Sequence, residues 1–490
     1  MKKDIKEFIK KILIVSFPII LQELLANLSS LIDTIMVGQL TNSSSISGVY
    51  IATQILFIVN LLIYGSIEGA SIFFCQYYGI NDEKGMQKAF GFKLISCLFV
   101  SILSMLILFI FGNNFVALFT DNPETHKIAL DYLNIVNISI VPFALATTLS
   151  ATIREYHKKY IPLITTLIGV FVNIIMNYLF IFGIGFFPRL EGTGAALGTL
   201  LERFVRLIIL LVIVYKNKYV FSKDILQCFK IEKDLFKKIL IKSIPLLFNE
   251  FLWGFLQTLL VFFFKEKSSV ATNVLPIVSN FSNIIFVSLL GLGNGYSIVI
   301  GNVIGQNKLK KAQLGAYTSL IISLISCVFL GTIMFIFSPS IVSIFKAVEG
   351  NDLLTANTLL KYCSFYLLIN GINTTLFFLL RAGGKTGVVF LFDCVFGYFI
   401  TLPLSIIICY LTPLDFVSMY MIIYSVDLLK TILGFILLLS KKWCKNLTNH
   451  NEEKAQWLAN KKLSRSIFKT VFLKLILYII YVCHRKLHLL

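Results

Sequence analysis

The chain is written as long apolar runs broken by short polar joints. Runs of 18 or more mostly apolar residues read as membrane-crossing helices, because a hydrocarbon core of about 30 Å needs roughly 20 residues at helical rise. Twelve such runs are predicted, at 12–37, 47–79, 90–112, 128–150, 160–185, 193–215, 238–264, 270–305, 312–338, 358–381, 387–410 and 414–440. The second and eighth exceed what a bilayer requires, so tilt or helix beyond the bilayer must absorb the excess. The expected class is an all-α polytopic membrane protein. The basic start, "MKKDIKEFIKK", leads into an apolar run with no small-residue cleavage site, and it reads as an uncleaved first helix.

The two halves repeat one another. "SFPIILQELL" (16–25) lines up with "SIPLLFNEFL" (243–252), which matches Pro18 to Pro245 and Glu23 to Glu250 at one offset. "GSIEGASIFFCQYYG" (65–79) lines up with "GLGNGYSIVIGNVIG" (291–305), and Arg154 with Arg381. Six helices per half is an even number, so both halves enter the membrane from the same side and the repeat is parallel, about an axis along the membrane normal. The expected organisation is a six-helix lobe at 1–215, a loop at 216–237, a second six-helix lobe at 238–445 and an extension at 446–490. The extension pairs a polar stretch with "IFKTVFLKLILYIIYVCHRKLHLL", which suits an interfacial helix better than a thirteenth span. Repeats of this kind place a binding site between the halves, and rocking gives alternating access.

Composition supports the membrane reading: 57% of residues are hydrophobic, 14% are charged and the mean hydropathy is +0.84. The net charge of +19 would suggest nucleic acid, but its distribution does not. Alternate loops from the N-terminus onward hold about 27 Lys and Arg against about 5 in the opposite loops, the asymmetry that orients a membrane chain. Both termini and the 216–237 loop are therefore expected in the cytoplasm of a cell whose inner (plasma) membrane holds the protein. No aromatic-basic groove pattern accompanies the charge, so no nucleic-acid partner is expected. The nine cysteines are scattered without metal spacing and read as apolar packers.

Against this background each buried charge is a question, because an ionisable group inside a span costs a few kcal/mol and marks function by default. Glu250 lies eight residues past Lys242 within the seventh run, about 12 Å along the helix from that charged residue. Either it loads a proton or Na⁺ from a cavity, or it is a protonated acid bonded to a neighbouring helix. Asp33 is either an ion or proton site in the first half or a boundary acid reaching outer water. Gln22 and Glu23 occupy the positions equivalent to Asn249 and Glu250, and with Trp253 they are candidates to line a cavity. Asn173 and Asn177 put two amides on one helix face, as cavity lining or as glue between helices. Glu202 and Arg206, four apart, are expected to neutralise each other, and Asp427 and Lys430, three apart, to do the same. Asp393 has no such neighbour and is assigned to the cavity. Arg154 and Arg381 are expected to anchor helix ends.

Several motifs in order resemble one family: "FPIILQELLANLSSLIDTIMVGQL", "VNIIMNYLFIFGIG" with "GTGAALGTLLERFVR", "SIPLLFNEFLWGF", "GNVIGQNKLKKA" and "RAGGKTGVVFLFDCVFGYFITLPL". Over residues 10–446 the chain is similar to the multidrug and toxic compound extrusion (MATE) transporters, especially the bacterial branches. The resemblance implies two six-helix lobes that export cationic, amphipathic small molecules in exchange for H⁺ or Na⁺. It implies no cofactor, and no metal beyond Na⁺ at Glu250 or Asp33. It implies a monomer working in membrane lipid. The family's acid of helix one falls on Asp33 and that of helix seven on Glu250. A helix-ten position that is aspartate in some branches is Asn370 here, a helix-five acid is replaced by asparagine, and "RAGGDT" reads "RAGGKT" with Lys385 in place of an acid. These departures leave the coupling ion open.

Two other classes compete. A flippase for lipids or lipid-linked sugars has a related two-lobe design but needs a basic central cavity, and the central candidates here are acidic. An enzyme or ATP-driven pump finds no support: there is no HExxH and no G-x-S-x-G, and "AGGKT" follows Leu379 where a P-loop needs its first glycine.

Overall fold

The computed structural model describes residues 2–40, 43–343, 350–440 and 443–448. The described chain is helical throughout. The first lobe contains α1 (Lys2–Gly38), α2 (Ser43–Gly79), α3 (Glu83–Ala117), α4 (Pro123–Asn137 continued by Ile140–Glu155), α5 (Tyr160–Phe182) and α6 (Gly192–Asn217). The second contains α7 (Lys233–Lys267), α8 (Val270–Gly305), α9 (Leu309–Ser343), α10 (Asn351–Ala382), α11 (Thr386–Leu411) and α12 (Phe416–Leu439). Nearly all of the extension at 446–490, with its expected interfacial helix, lies outside the described residues.

Local chemistry sets the boundaries. Asp82 accepts from the Gly85 N–H at 3.0 Å and opens α3. Asn122 accepts from Glu124 and Thr125 N–H, with Pro123 next, and opens α4. Gly183, in the left-handed region at φ 69°, closes α5. The run predicted at 128–150 is bent by 51°. Pro142 offers no N–H to the carbonyl of Ile138, which is where the helix breaks. In α11 the turns widen to π geometry at Leu391–Val395 and Gly397–Thr401, ahead of Pro403. The other proline helices run on: α1 continues through Pro18 and α7 through Pro245.

Ten helices are long and apolar enough to span a bilayer, and the bent α4 makes eleven. The twelfth is α6, which carries Glu202, Arg203 and Arg206. It packs against α5 and α4 and settles its own charges: Arg206 pairs with Glu202 at 3.3 Å, and Arg203 donates to Ser139 Oγ at 3.2 Å while its guanidinium lies 4.5 Å from the Phe143 ring centre. Phe109 on α3 is 78% exposed and Phe329 on α9 is 64% exposed. Large apolar residues thus face outwards where lipid tails would cover them.

The lobes meet crosswise, α1 on α8 and α2 on α7, as the repeat requires. The seams use small residues near the end of the bundle that holds most lysines, here termed the basic end. A Cβ at Gly295 would come within 1.9 Å of Ser16 Oγ, and one at Gly69 within 2.1 Å of Ser243 Oγ. Gln76 donates across the seam to the Ala382 carbonyl at 3.4 Å.

Candidate functional site

The acids sort into a cluster in each lobe. In the first lobe, α1 and α5 bring Asp33 to Asn177, whose amide donates to it. Asn177 also donates to Asn173 Oδ1 at 3.3 Å, and Ser29 Oγ donates to the same oxygen at 3.2 Å. The i,i+4 spacing of Asn173 and Asn177 aims both amides at α1. Both are buried, whereas Asp33 keeps partial exposure. Asn177 Oδ1 is buried without a partner, so the cluster retains an unused acceptor next to its carboxylate. This fits a site for a proton or small cation.

Nearer the basic end, Arg154 Nη1 donates to Glu23 Oε1 at 3.1 Å and to Gln22 Oε1 at 3.4 Å. The Arg154 side chain is only 13% exposed, so it serves as a partner to α1 more than as an end anchor.

The second lobe carries more charge. Lys430 of α12 pairs with Asp393 of α11, and Asn249 of α7 donates to the other Asp393 oxygen at 3.0 Å. The expected partner of Lys430 was Asp427, three residues away. Asp427 instead accepts from Tyr366 OH at 2.6 Å. Asn370 lies one turn further along α10, with its amide 3.5 Å from the same hydroxyl and its oxygen accepting from Thr374 at 3.1 Å. Trp253 stacks on Phe286 of α8 with ring centres 6.4 Å apart.

Glu250 stands next to this network, partly exposed and with no hydrogen bond or ion pair among the described residues. The charges acting on it are Glu68, Arg381 and Asp393. Gly65 of α2 backs onto it: a Cβ there would lie 3.2 Å from Glu250 Cγ. Arg381, expected as an anchor, is buried and holds Glu68 on the opposite lobe, and its Nη2 donates to Asn294 Oδ1 at 3.3 Å.

The predicted residues therefore gather as Asp33–Asn173–Asn177, as Gln22–Glu23 under Arg154, and as Asn249–Asp393 beside Glu250. Among the described residues no side chain bonds to both Asp33 and Glu250. The sequence reading missed two buried pairs, Glu68–Arg381 and Lys93–Glu155. For Glu68 a clue existed, since it has no basic residue three or four positions away. Lys93 lies inside the third predicted run, at 90–112, and its side chain is 0% exposed, with its ammonium 5.0 Å from the Phe74 ring centre.

The family model described as MatE matches this chain twice, at residues 18–179 and 245–411, once in each lobe. A relative named "Probable multidrug resistance protein NorM" from Bacillus licheniformis is 23% identical over 377 residues, covering 76% of this chain and 82% of that protein. Among solved structures, one described as the outward-facing conformation of a multidrug resistance MATE family transporter of the MOP superfamily matches with TM-score 0.78 at 16% identity, covering 88% of this chain and 95% of that one. A MOP superfamily transporter from Pyrococcus furiosus, whose description reports reverse polarity of its binding pocket, matches with TM-score 0.80 at 16% identity, again over 88% and 95%.

Proposed function

The chain belongs to the MATE family of multidrug efflux transporters, is a multi-pass plasma-membrane transporter and not an enzyme, and from that premise we propose that it is a secondary antiporter exchanging cationic, amphipathic small molecules for H⁺ or Na⁺. The rocking bodies are the lobes 1–215 and 238–445, joined by 216–237, with both termini in the cytoplasm as the lysine asymmetry directs. One copy of the chain in lipid suffices, since each lobe carries its own acid cluster.

The observation that carries the reading is Glu250: a carboxylate in a membrane-spanning helix, partly exposed, and unpartnered among the described residues beside a network that satisfies its neighbour Asp393. An unpaired carboxylate in that position is costly unless a cation visits it. Asp33 with Asn173 and Asn177 supplies a second carboxylate with amide oxygens at hand, a donor set suited to H⁺ or Na⁺. The close contacts at the basic end fit a state closed to the cytoplasm. A cationic substrate and the coupling ion then compete for the same acids, and gradient-driven occupancy by the ion expels the drug.

Ethidium efflux from vesicles under imposed H⁺ or Na⁺ gradients tests this. Wild type exports under at least one gradient, and Glu250→Gln and Asp33→Asn lose coupled export by at least tenfold. Full coupled efflux in both variants rejects the site assignment. No efflux by wild type under either gradient rejects antiport and favours the flippase.

A further inference from the structure

The two lobes treat their equivalent arginines differently. In the first, Arg154 is held inside its own lobe by Glu23 and Gln22. The repeat places Arg381 opposite Arg154 and Glu250 opposite Glu23. The second lobe has both residues of the pair and does not make it. Arg381 reaches across the seam to Glu68 of α2 and also contacts Asn294 of α8, which is the repeat equivalent of Glu68. Glu250 is left over, and it lies against Gly65, one turn before Glu68.

The cross-lobe pair is incompletely satisfied. Glu68 Oε2 and Arg381 Nε are both buried without partners, and so is Asn249 Oδ1 beside Glu250. The charged groups facing this spot are Glu68 from α2, Glu250 from α7, Arg381 from α10, and Asp393 with Lys430 from α11 and α12. Asp393 is already neutralised by Lys430 and Asn249. Two carboxylates, Glu68 and Glu250, thus compete for one guanidinium, and they sit on opposite lobes.

We propose that Arg381 is the residue that couples cation release to lobe movement, exchanging Glu68 for Glu250 when the lobes part at the basic end. With the basic end closed, Arg381 latches to Glu68 and leaves Glu250 to hold H⁺ or Na⁺. When the lobes part, Glu68 moves away with α2, and Arg381 settles on Glu250 as Arg154 settles on Glu23. The arriving guanidinium drives the cation off on that side. Arg381 acts through Glu250 and is a positioning residue. The inference rests on the antiporter reading, in which Glu250 holds the coupling ion.

The test uses the full-length protein in lipid vesicles with spin labels at Lys158 and Lys310, exposed positions on the basic ends of the two lobes. Inter-label distances are measured for wild type, Glu68→Gln, Glu68→Gln/Glu250→Gln and the charge swap Glu68→Arg/Arg381→Glu. Glu68→Gln is expected to raise the long-distance population at least fivefold. Adding Glu250→Gln reverses at least half of that rise, because Arg381 then has no carboxylate to gain on opening. The swap restores the short distance, and it carries the test if Glu68→Gln fails to fold. Distances unmoved by Glu68→Gln, or moved equally with and without Glu250→Gln, overturn the exchange. Ethidium efflux run alongside separates the two readings: coupled efflux with unmoved distances overturns the exchange and leaves antiport standing.

Discussion

At the residue scale, the legible part of the site was whatever local spacing encodes. Asn173 and Asn177 share a face because they are four apart, and Glu202 finds Arg206 for the same reason. Partnerships fixed by helix packing were not legible. Arg381 and Glu68 are 313 positions apart, and Lys430 prefers Asp393, 37 positions away, over Asp427 on its own helix. His157 belongs with these. It sits in the turn between α4 and α5, its ring centre 4.8 Å from that of Tyr78. With the Asn302 amide oriented to satisfy both sides, Nε2 donates across the seam to Asn302 Oδ1 at 2.6 Å, and that amide in turn donates to the Cys75 carbonyl at 2.7 Å. Burial, with Lys159 and Lys11 adding, pushes the imidazole down to about 4 from the ordinary 6.5. An imidazole released into water takes up a proton as pH falls below 6.5, and the buried one does not. The stability this contact lends the closed seam is therefore complete above about pH 6.5 and is lost as pH falls towards 4. Proton NMR of the histidine Cε1–H, assigned by comparison with His157→Gln, should find His157 unchanged between about pH 8 and 5. A midpoint near 6.5 would show an exposed ring and no such contribution.

At the element scale, hydropathy located the spans because bilayer thickness imposes a length on every one of them. It did not distinguish a straight span from a bent one. The break in α4 and the π turns of α11 both stand next to prolines that the sequence displays, but whether a proline bends its helix depends on its neighbours: α1 and α7 run through theirs. The π turns matter to the site because Asp393 sits in the first of them, and a wide turn re-aims the side chains that follow. The seam between α2 and α7 depends on Gly69. A methyl there would lie 2.1 Å from Ser243 Oγ and 2.4 Å from Ser243 Cα. Gly69→Val should therefore hold the helices apart and reduce coupled ethidium efflux by at least tenfold, with helix content by circular dichroism unchanged. Ser243→Gly should not rescue it, because the backbone carbon is itself too close. Restored efflux in the double variant would place the clash in the Ser243 side chain and argue against a backbone seam.

At the scale of the whole molecule, the two-lobe fold was legible from one internal alignment, Pro18 and Glu23 against Pro245 and Glu250, and the family match falls on each lobe in turn. The use each lobe makes of its copy was not legible, since similar sequence yields an intralobe pair at Arg154 and a cross-lobe pair at Arg381. That divergence lets a repeated fold do something asymmetric: one lobe keeps its arginine satisfied while the other ties its arginine to the seam. If the coupling ion and the drug share Glu250, each must weaken the other by the same factor, because binding linkage is reciprocal. Coupling free energies of this kind are about 1–3 kcal/mol, which corresponds to roughly 5–150-fold in affinity. Ethidium binding to the purified transporter, followed by fluorescence anisotropy, should accordingly weaken by a factor in that range on going from alkaline to acidic buffer if H⁺ is the coupling ion, or on adding Na⁺ at fixed pH if Na⁺ is. Glu250→Gln should flatten the dependence, because its amide neither takes up a proton nor carries charge to attract the drug. Dependence that persists unchanged in Glu250→Gln and disappears in Asp33→Asn would move the competition to the first lobe. Ethidium affinity that no cation alters in wild type would show that drug and ion do not share an acid, and competitive antiport at Glu250 would be rejected.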